Sequence, residues 1–479
     1  MGRLGFAIAA LSLLLAGCAT VDTSWRTLDA TTEAARCLDH FQDADRRVAA
    51  AGVGDAQAAR VVGFPYLRVS RFLASFRQEV TGAAFDIWAQ RLAALDAEAR
   101  AAEMQNLGAA GEIDDLNRCR AYLVAHDLAS PAARAALRKA ARVTDDYDRW
   151  QRLLGLYPLT AMPIAAGAFQ WRQRETRDIA GPVAALPITG NLIRYAPPPA
   201  VTAIPDFAAL PRDALGMPQL SADDKAALLA AHAPALVVDE ATTADRIGAL
   251  VWSAAGKPVV EDATPVAYTL VSHTRYRGRV AVQLVYVFWF AERPKRGQID
   301  LLGGALDGLI WRVTLDENGQ PLLYDSIHPC GCYHLFFPVA DWDRRDRWSL
   351  WHEGSSVPQR APALAQGERL AVRLAAGTHY IKDIEVTTGG AAARRYELRD
   401  YDGLRALPLG DGRTRSLFRP DGLVAGTARG ERFLFWPMGI KSAGAMRQWG
   451  RHATAFVGVR HFDDPDLIEA TFRVSESQP

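Results

Sequence analysis

The hydrophobic spacing changes period once along this chain, and that change limits the fold more than any other feature. From about residue 24 to 180 the sequence is rich in Ala, Leu and Arg, with apolar residues three, four and seven positions apart. Phe72, Phe76, Phe85, Trp88, Leu92 and Leu95 lie within residues 64–107, separated by Arg, Gln, Asp and Glu. Such spacing predicts helices with one buried stripe. Gly63-Phe64-Pro65-Tyr66 reads as the turn into that long helix. Ser130-Pro131 reads as an N-cap and first-turn proline, and Asp145, Asp146 and Asp148 as the start of a helix carrying Trp150, Leu153 and Leu154.

Residues 187–220 hold Pro197-Pro198-Pro199 and four further prolines, which predicts a linker or extended strap. Beyond them the pattern is that of strands. Val266 to Thr274 and Arg279 to Phe290 read as a hairpin turning at Tyr276-Arg277-Gly278. Leu309 to Leu315 and Pro321 to Ile327 read as a second, joined through Asn318-Gly319, whose residues tolerate positive φ. Further strands are expected at Arg369 to Leu374, Tyr380 to Val386, Arg432 to Trp436 and Ala453 to Val459. The expected class is α+β: a helical N-terminal domain followed by a mainly antiparallel β-rich C-terminal domain. The expected boundaries are a signal at 1–17, a helical domain at 18–186, a strap at 187–220 and a β-rich domain at 221–479.

With 479 residues the chain has room for two or three domains, and 49% hydrophobic content supplies a real core. Lys plus Arg number 55 against 54 Asp plus Glu, so no charge excess argues for a nucleic-acid partner. Phosphate-loop and nucleophile-elbow motifs are missing, and His352-Glu353 fails as a zinc-protease motif because Ser356 stands where the second His belongs. The short basic run Arg293-Pro294-Lys295-Arg296 is ordinarily a solvated loop and is also suited to lipid headgroups.

The N-terminus carries Arg3, a short apolar stretch and Leu15-Ala16-Gly17-Cys18. A charged start, an apolar run too short to span a bilayer and small residues before a cut site make a secretory signal. Its ending resembles the lipobox of bacterial lipoproteins. That resemblance implies lipidation at Cys18, with acyl chains such as palmitate anchoring the mature protein to a lipid bilayer. By the same resemblance Ala19, in place of Asp, implies the outer membrane of a Gram-negative envelope, facing the periplasm. Other envelope proteins are the expected partners. The stretches Gly63 to Arg68, Asp307 to Val313 and Tyr324 to His334 resemble a group of large uncharacterised proteobacterial proteins, a likeness that supplies no catalytic residue.

Four cysteines remain after Cys18. In an oxidising compartment, parity predicts a Cys37–Cys119 disulfide. Cys330 and Cys332 belong to His328-Pro329-Cys330-Gly331-Cys332-Tyr333-His334, the densest set of candidate ligands in the chain. An extended His328–His334 segment would be about 20 Å long, so one ion requires a turn, for which Pro329 and Gly331 are suited. His328, Cys330, Cys332 and His334 are then candidate ligands for zinc or copper. The single-residue Cys spacer departs from usual zinc patterns. A Cys330–Cys332 disulfide clasp in a non-catalytic envelope protein, or a thiol redox pair, are the alternatives. His273, His379 and His452 are further histidines that a site here could recruit. Asp307 and Asp325 are candidate supporting acids or bases, although Asp307 before Gly308 reads first as a turn cap.

Overall fold

A computed structural model describes residues 32–179, 186–199, 204–349, 351–365, 367–389 and 394–473. The signal and Cys18 lie outside the described residues. The chain is α+β, with most helices in its N-terminal part and antiparallel or mixed sheets after them.

The N-terminal core is built from helices Glu33–Ala51, Gly82–Asn106, Ile113–Asp127 and Pro131–Ala140. Thr32 and Ser130 cap the first and last of these through their hydroxyls. The Phe72–Leu95 stripe points inward as expected, although the long helix begins at Gly82. Phe64–Val69 is instead a strand paired with Ala59–Val61, because Gly63 turns the chain back on itself at φ 86°. Cys37 and Cys119 are disulfide-bonded, joining the first helix to Ile113–Asp127 across 82 positions.

A six-stranded sheet forms the centre of the C-terminal part. Its strands are β1 (Val266–Tyr276), β2 (Arg279–Arg293), β3 (Gly304–Leu315), β4 (Pro321–Ile327), β5 (Leu335–Pro338) and β6 (Glu397–Asp400). The order is β5-β4-β3-β2-β1-β6, antiparallel except for the β1–β6 edge. Both predicted hairpins form, with Tyr276 opposite Arg279 and Leu315 opposite Pro321. Arg277 and Gly278 both take positive φ, the requirement of a two-residue hairpin turn.

One sheet face, carrying Leu284, Tyr286, Phe288 and Trp311, packs on a second, five-stranded sheet through Leu236, Val238 and Val372. The opposite face, carrying Val285, Val287, Trp289 and Ile310, packs beneath C-terminal loops through Phe418, Met446 and Phe462. Burial on both faces explains why β2 is apolar almost throughout.

The proline-rich strap is more structured than a linker. Its Asn191–Ala196 segment is a strand of the second sheet, while Leu215 and Met217 join the N-terminal core. Buried ion pairs also tie the two parts together: Arg405 contacts Asp55, and Arg71 contacts Asp463. Two expected strands are absent. Residues 431–438 form the short helix Glu431–Leu434 and a 3-10 turn, and residues 453–459 are irregular. The apolar run Phe433-Leu434-Phe435-Trp436 lies on that helix and turn, where Phe433, Leu434 and Trp436 reach solvent.

Candidate functional site

The β4–β5 hairpin carries the His-x-Cys-x-Cys-x-His segment at its tip. Ser326 pairs with Leu335, so the chain must reverse between them. Gly331 N–H donates to the His328 carbonyl at 2.8 Å, and His328 N–H to the Cys332 carbonyl at 3.0 Å. Pro329 opens this turn and Gly331 closes it at φ +90°, a conformation that suits glycine. A side chain at Gly331 would also collide with the Ala453 carbonyl, 2.5 Å from its Cβ position. Arg447 clamps the tip from outside, donating its backbone N–H to the Pro329 carbonyl at 2.8 Å and Nε to the Cys330 carbonyl at 3.1 Å.

The predicted turn therefore forms, but it separates the histidines from the cysteines. His328 Nδ1 lies 3.2 Å from Asp307 Oδ1, and His334 Nε2 lies 3.0 Å from Asp325 Oδ2. Each ring is committed to a different carboxylate on a different strand. Among the described residues no group of three or more His, Cys, Asp or Glu side chains is placed to hold a metal ion. The expected zinc or copper ligands His328, Cys330, Cys332 and His334 are thus divided, with each histidine against its own carboxylate and both cysteines in a cavity wall.

Asp307 is not a turn cap. It lies fully buried within β3 and gathers His328, His379 at 2.9 Å and Arg429 at 3.4 Å. Burial opposes its ionisation, but these neighbours outweigh burial and hold the carboxyl well below its usual range. His379 also faces Asp245 at 3.4 Å and stacks on Phe290 at 3.8 Å between centroids. Burial disfavours its charge, yet the Asp245 and Asp307 contacts prevail and raise its pKa. Asp325 is bound by Arg312 through two hydrogen bonds of 2.9 and 2.5 Å. Burial pushes the neighbouring His334 down to about 3, so it is neutral. His273 stacks on Phe72 and His452 is buried near the hairpin tip, so of the additional histidines His379 alone enters the Asp307 cluster.

The cysteines face elsewhere. Cys330, Gly331, Cys332 and Tyr333 form part of the wall of a cavity of about 500 Å³. Helix Tyr157–Ile179 supplies the facing wall through Pro163, Ile164, Gly167, Ala168 and Trp171. Trp171 packs its ring on Tyr333 and Tyr380, at 4.9 and 5.5 Å between centroids. Phe435, Ile440 and Phe456 complete a mainly apolar lining, into which Glu431 brings a carboxyl group.

Cys330 and Cys332 are free thiols, and their ionisation is linked. The hydrogen bond from Cys332 favours the Cys330 thiolate and lowers its pKa, while the same contact and burial push Cys332 well upward. Burial raises Glu431 to about 7 against the opposing charges of Arg429 and Arg293. Its carboxylate has no hydrogen-bond or ion-pair partner among the described residues, and Gly444 lacks the side chain that would collide with it. The wall thus holds a thiolate-prone sulfur, a second thiol and a carboxyl that exchanges protons near neutrality.

Backbone strain gathers here too. Among the described residues, six non-glycine positions have positive φ. Tyr333 lies in the cavity wall, His379 contacts Asp307, Leu306 precedes Asp307, and Ser442 precedes the wall residue Ala443. Each such conformation costs about 1–3 kcal/mol and persists where surrounding packing enforces it, which is common at functional sites.

Sequence reasoning found the cysteines but missed Glu431, Arg429 and Trp171. Their only signal was an unusual run of apolar and charged residues at 429–436, and no local pattern joins it to residues 160–171. No protein-family model, curated protein or solved structure matches this chain.

Proposed function

We propose that this is a lipid-anchored protein of the Gram-negative cell envelope whose working centre is the Cys330–Cys332 dithiol, acting in thiol–disulfide exchange on an apolar substrate. The observation that carries the reading is two free, buried thiols two positions apart in the wall of one mainly apolar cavity. The lipobox supports the address, and the Cys37–Cys119 disulfide fits a compartment in which thiols are oxidised.

In the proposed reaction the Cys330 thiolate attacks one sulfur of a substrate disulfide. The substrate S–S bond breaks, the first substrate thiolate leaves and is protonated by Glu431, and a mixed disulfide remains on Cys330. Glu431 then takes the Cys332 proton. The Cys332 thiolate attacks Cys330 Sγ and displaces the second substrate thiolate, which takes that proton from Glu431. The protein ends as the Cys330–Cys332 disulfide, oxidised by two electrons, and the substrate as two thiols. Tyr333, Tyr380 and Trp171 bound the cavity beside the dithiol.

Dipyridyl disulfide is a suitable apolar probe. Native protein is expected to release two thiopyridones and keep no adduct. Cys332→Ser should release one and keep a mixed disulfide, whereas Cys330→Ser should react far more slowly. Equal, slow reaction of all three proteins would contradict the proposal.

A further inference from the structure

We infer that the face surrounding the cavity mouth lies on the lipid bilayer, so that the dithiol cavity takes its apolar substrate from the membrane; the substrate part of this inference rests on the function proposed above. The mouth can be located from its lining. Of the wall residues, only Pro163, Gly167 and Leu434 are exposed, so the cavity opens between helix Tyr157–Ile179 and helix Glu431–Leu434.

The surface around that opening is apolar. Leu159, Met162, Pro163, Ala166 and Phe169 are exposed at helical spacing along one side of Tyr157–Ile179, while Ala161 and Ala165 are buried on the other. The stripe therefore follows one continuous helix face. Helix Arg149–Leu154 buries none of its residues and presents Trp150 at 62%, Leu153 at 64% and Leu154 at 70% exposure. Across the mouth, Phe433 is 72% exposed, with Leu434 and Trp436 beside it. The 299–301 loop adds Ile299 and Leu301, and Leu301 packs against Gly430. Isolated exposed apolar residues are ordinary, but a contiguous set of this kind marks an interaction surface.

Charge and chain length favour a bilayer as the occupant. Arg149, Lys295 and Arg296 are exposed on the same segments, a basic border suited to anionic headgroups. Tryptophan recurs in the patch, as is usual for groups at a membrane interface. Thirteen residues separate Cys18 from Thr32. A chain of that length reaches at most about 50 Å, enough for an acylated Cys18 to leave this face free to settle on the surface that holds the anchor. No helix among the described residues is long and apolar enough to cross a membrane, so the contact is peripheral.

Depth-sensitive quenching tests the inference with the full chain in vesicles of dibrominated phosphatidylcholine and phosphatidylglycerol. Trp25 lies close to Cys18 in sequence and would report the tether alone, so Trp25→Phe is the starting protein. Its fluorescence should fall in brominated relative to unbrominated vesicles. The quenching should largely disappear when Trp150→Phe and Trp436→Phe are added, and also with Leu153→Glu and Leu159→Glu. No quenching of the Trp25→Phe protein, or quenching that these substitutions leave unchanged, would overturn the inference. Uptake of labelled acyl chain tests the anchor separately, and thiopyridone release in detergent tests the thiol chemistry without any bilayer.

Discussion

Replacing Glu431 by Gln should stabilise the protein, and only above acidic pH. Glu431 titrates at about 7 in the folded chain, against 4.5 for an ordinary glutamate, because burial penalises its carboxylate. A carboxyl whose folded pKa is raised contributes fully below its unfolded pKa, and that contribution is lost as pH rises through the folded value. Native protein should therefore lose stability on this account between about pH 4.5 and pH 7, with the loss complete above pH 8. A shift from 4.5 to about 7 corresponds to about 3 kcal/mol. Gln has no proton to lose and keeps a similar shape. Denaturant unfolding of native and Glu431→Gln proteins at pH 4.5, 6, 7 and 8.5 gives the comparison, and contributions from other titrating groups cancel in the difference. The variant should gain about 3 kcal/mol relative to native protein between the lowest and highest pH. A difference that stays constant with pH would show that Glu431 ionises freely, and its assigned role in proton exchange would fall with it.

The Cys37–Cys119 bond closes a loop of 82 positions, so Cys37→Ala with Cys119→Ala should destabilise the N-terminal core by about 4–5 kcal/mol, read by denaturant unfolding with and without reductant. His461 faces Asp145 and Asp464, and despite burial these contacts raise it to about 9. A raised histidine stabilises fully below its unfolded pKa of about 6.5 and loses that effect as pH rises through the folded value. His461→Gln should thus cost about 3 kcal/mol at pH 6 and little of it at pH 10, measured by the same unfolding series.

The elements that were legible in the sequence are those fixed by local rules. The two hairpins follow from runs of β-branched and aromatic residues and from turn residues that accept positive φ, and the Pro131–Ala140 helix from its Ser-Pro start. The Cys37–Cys119 pair followed from compartment and parity. Elements that depend on distant partners were not legible. Arg432 to Trp436 is apolar and aromatic like a strand, yet it forms a short helix and turn whose Leu434 and Phe435 line a cavity with its other wall more than 250 positions earlier. Asp307 before Gly308 looks like a turn, but Gly308 is required because a side chain there would strike the Phe288 carbonyl of the adjacent strand. The His-x-Cys-x-Cys-x-His segment suggested one centre. The hairpin divides it into two, because the Asp307 and Asp325 partners of its histidines come from neighbouring strands.

Redox titration of the protein decides whether Cys330 and Cys332 act as one dithiol. Samples equilibrated across a series of thiol–disulfide buffers are trapped with an alkylating agent and read by intact mass with peptide mapping. One two-electron transition is expected, in which Cys330 and Cys332 gain or lose both labels together, while Cys37 and Cys119 remain bonded throughout it. Thiols at Cys330 and Cys332 that label independently and never form a bond with one another would contradict it.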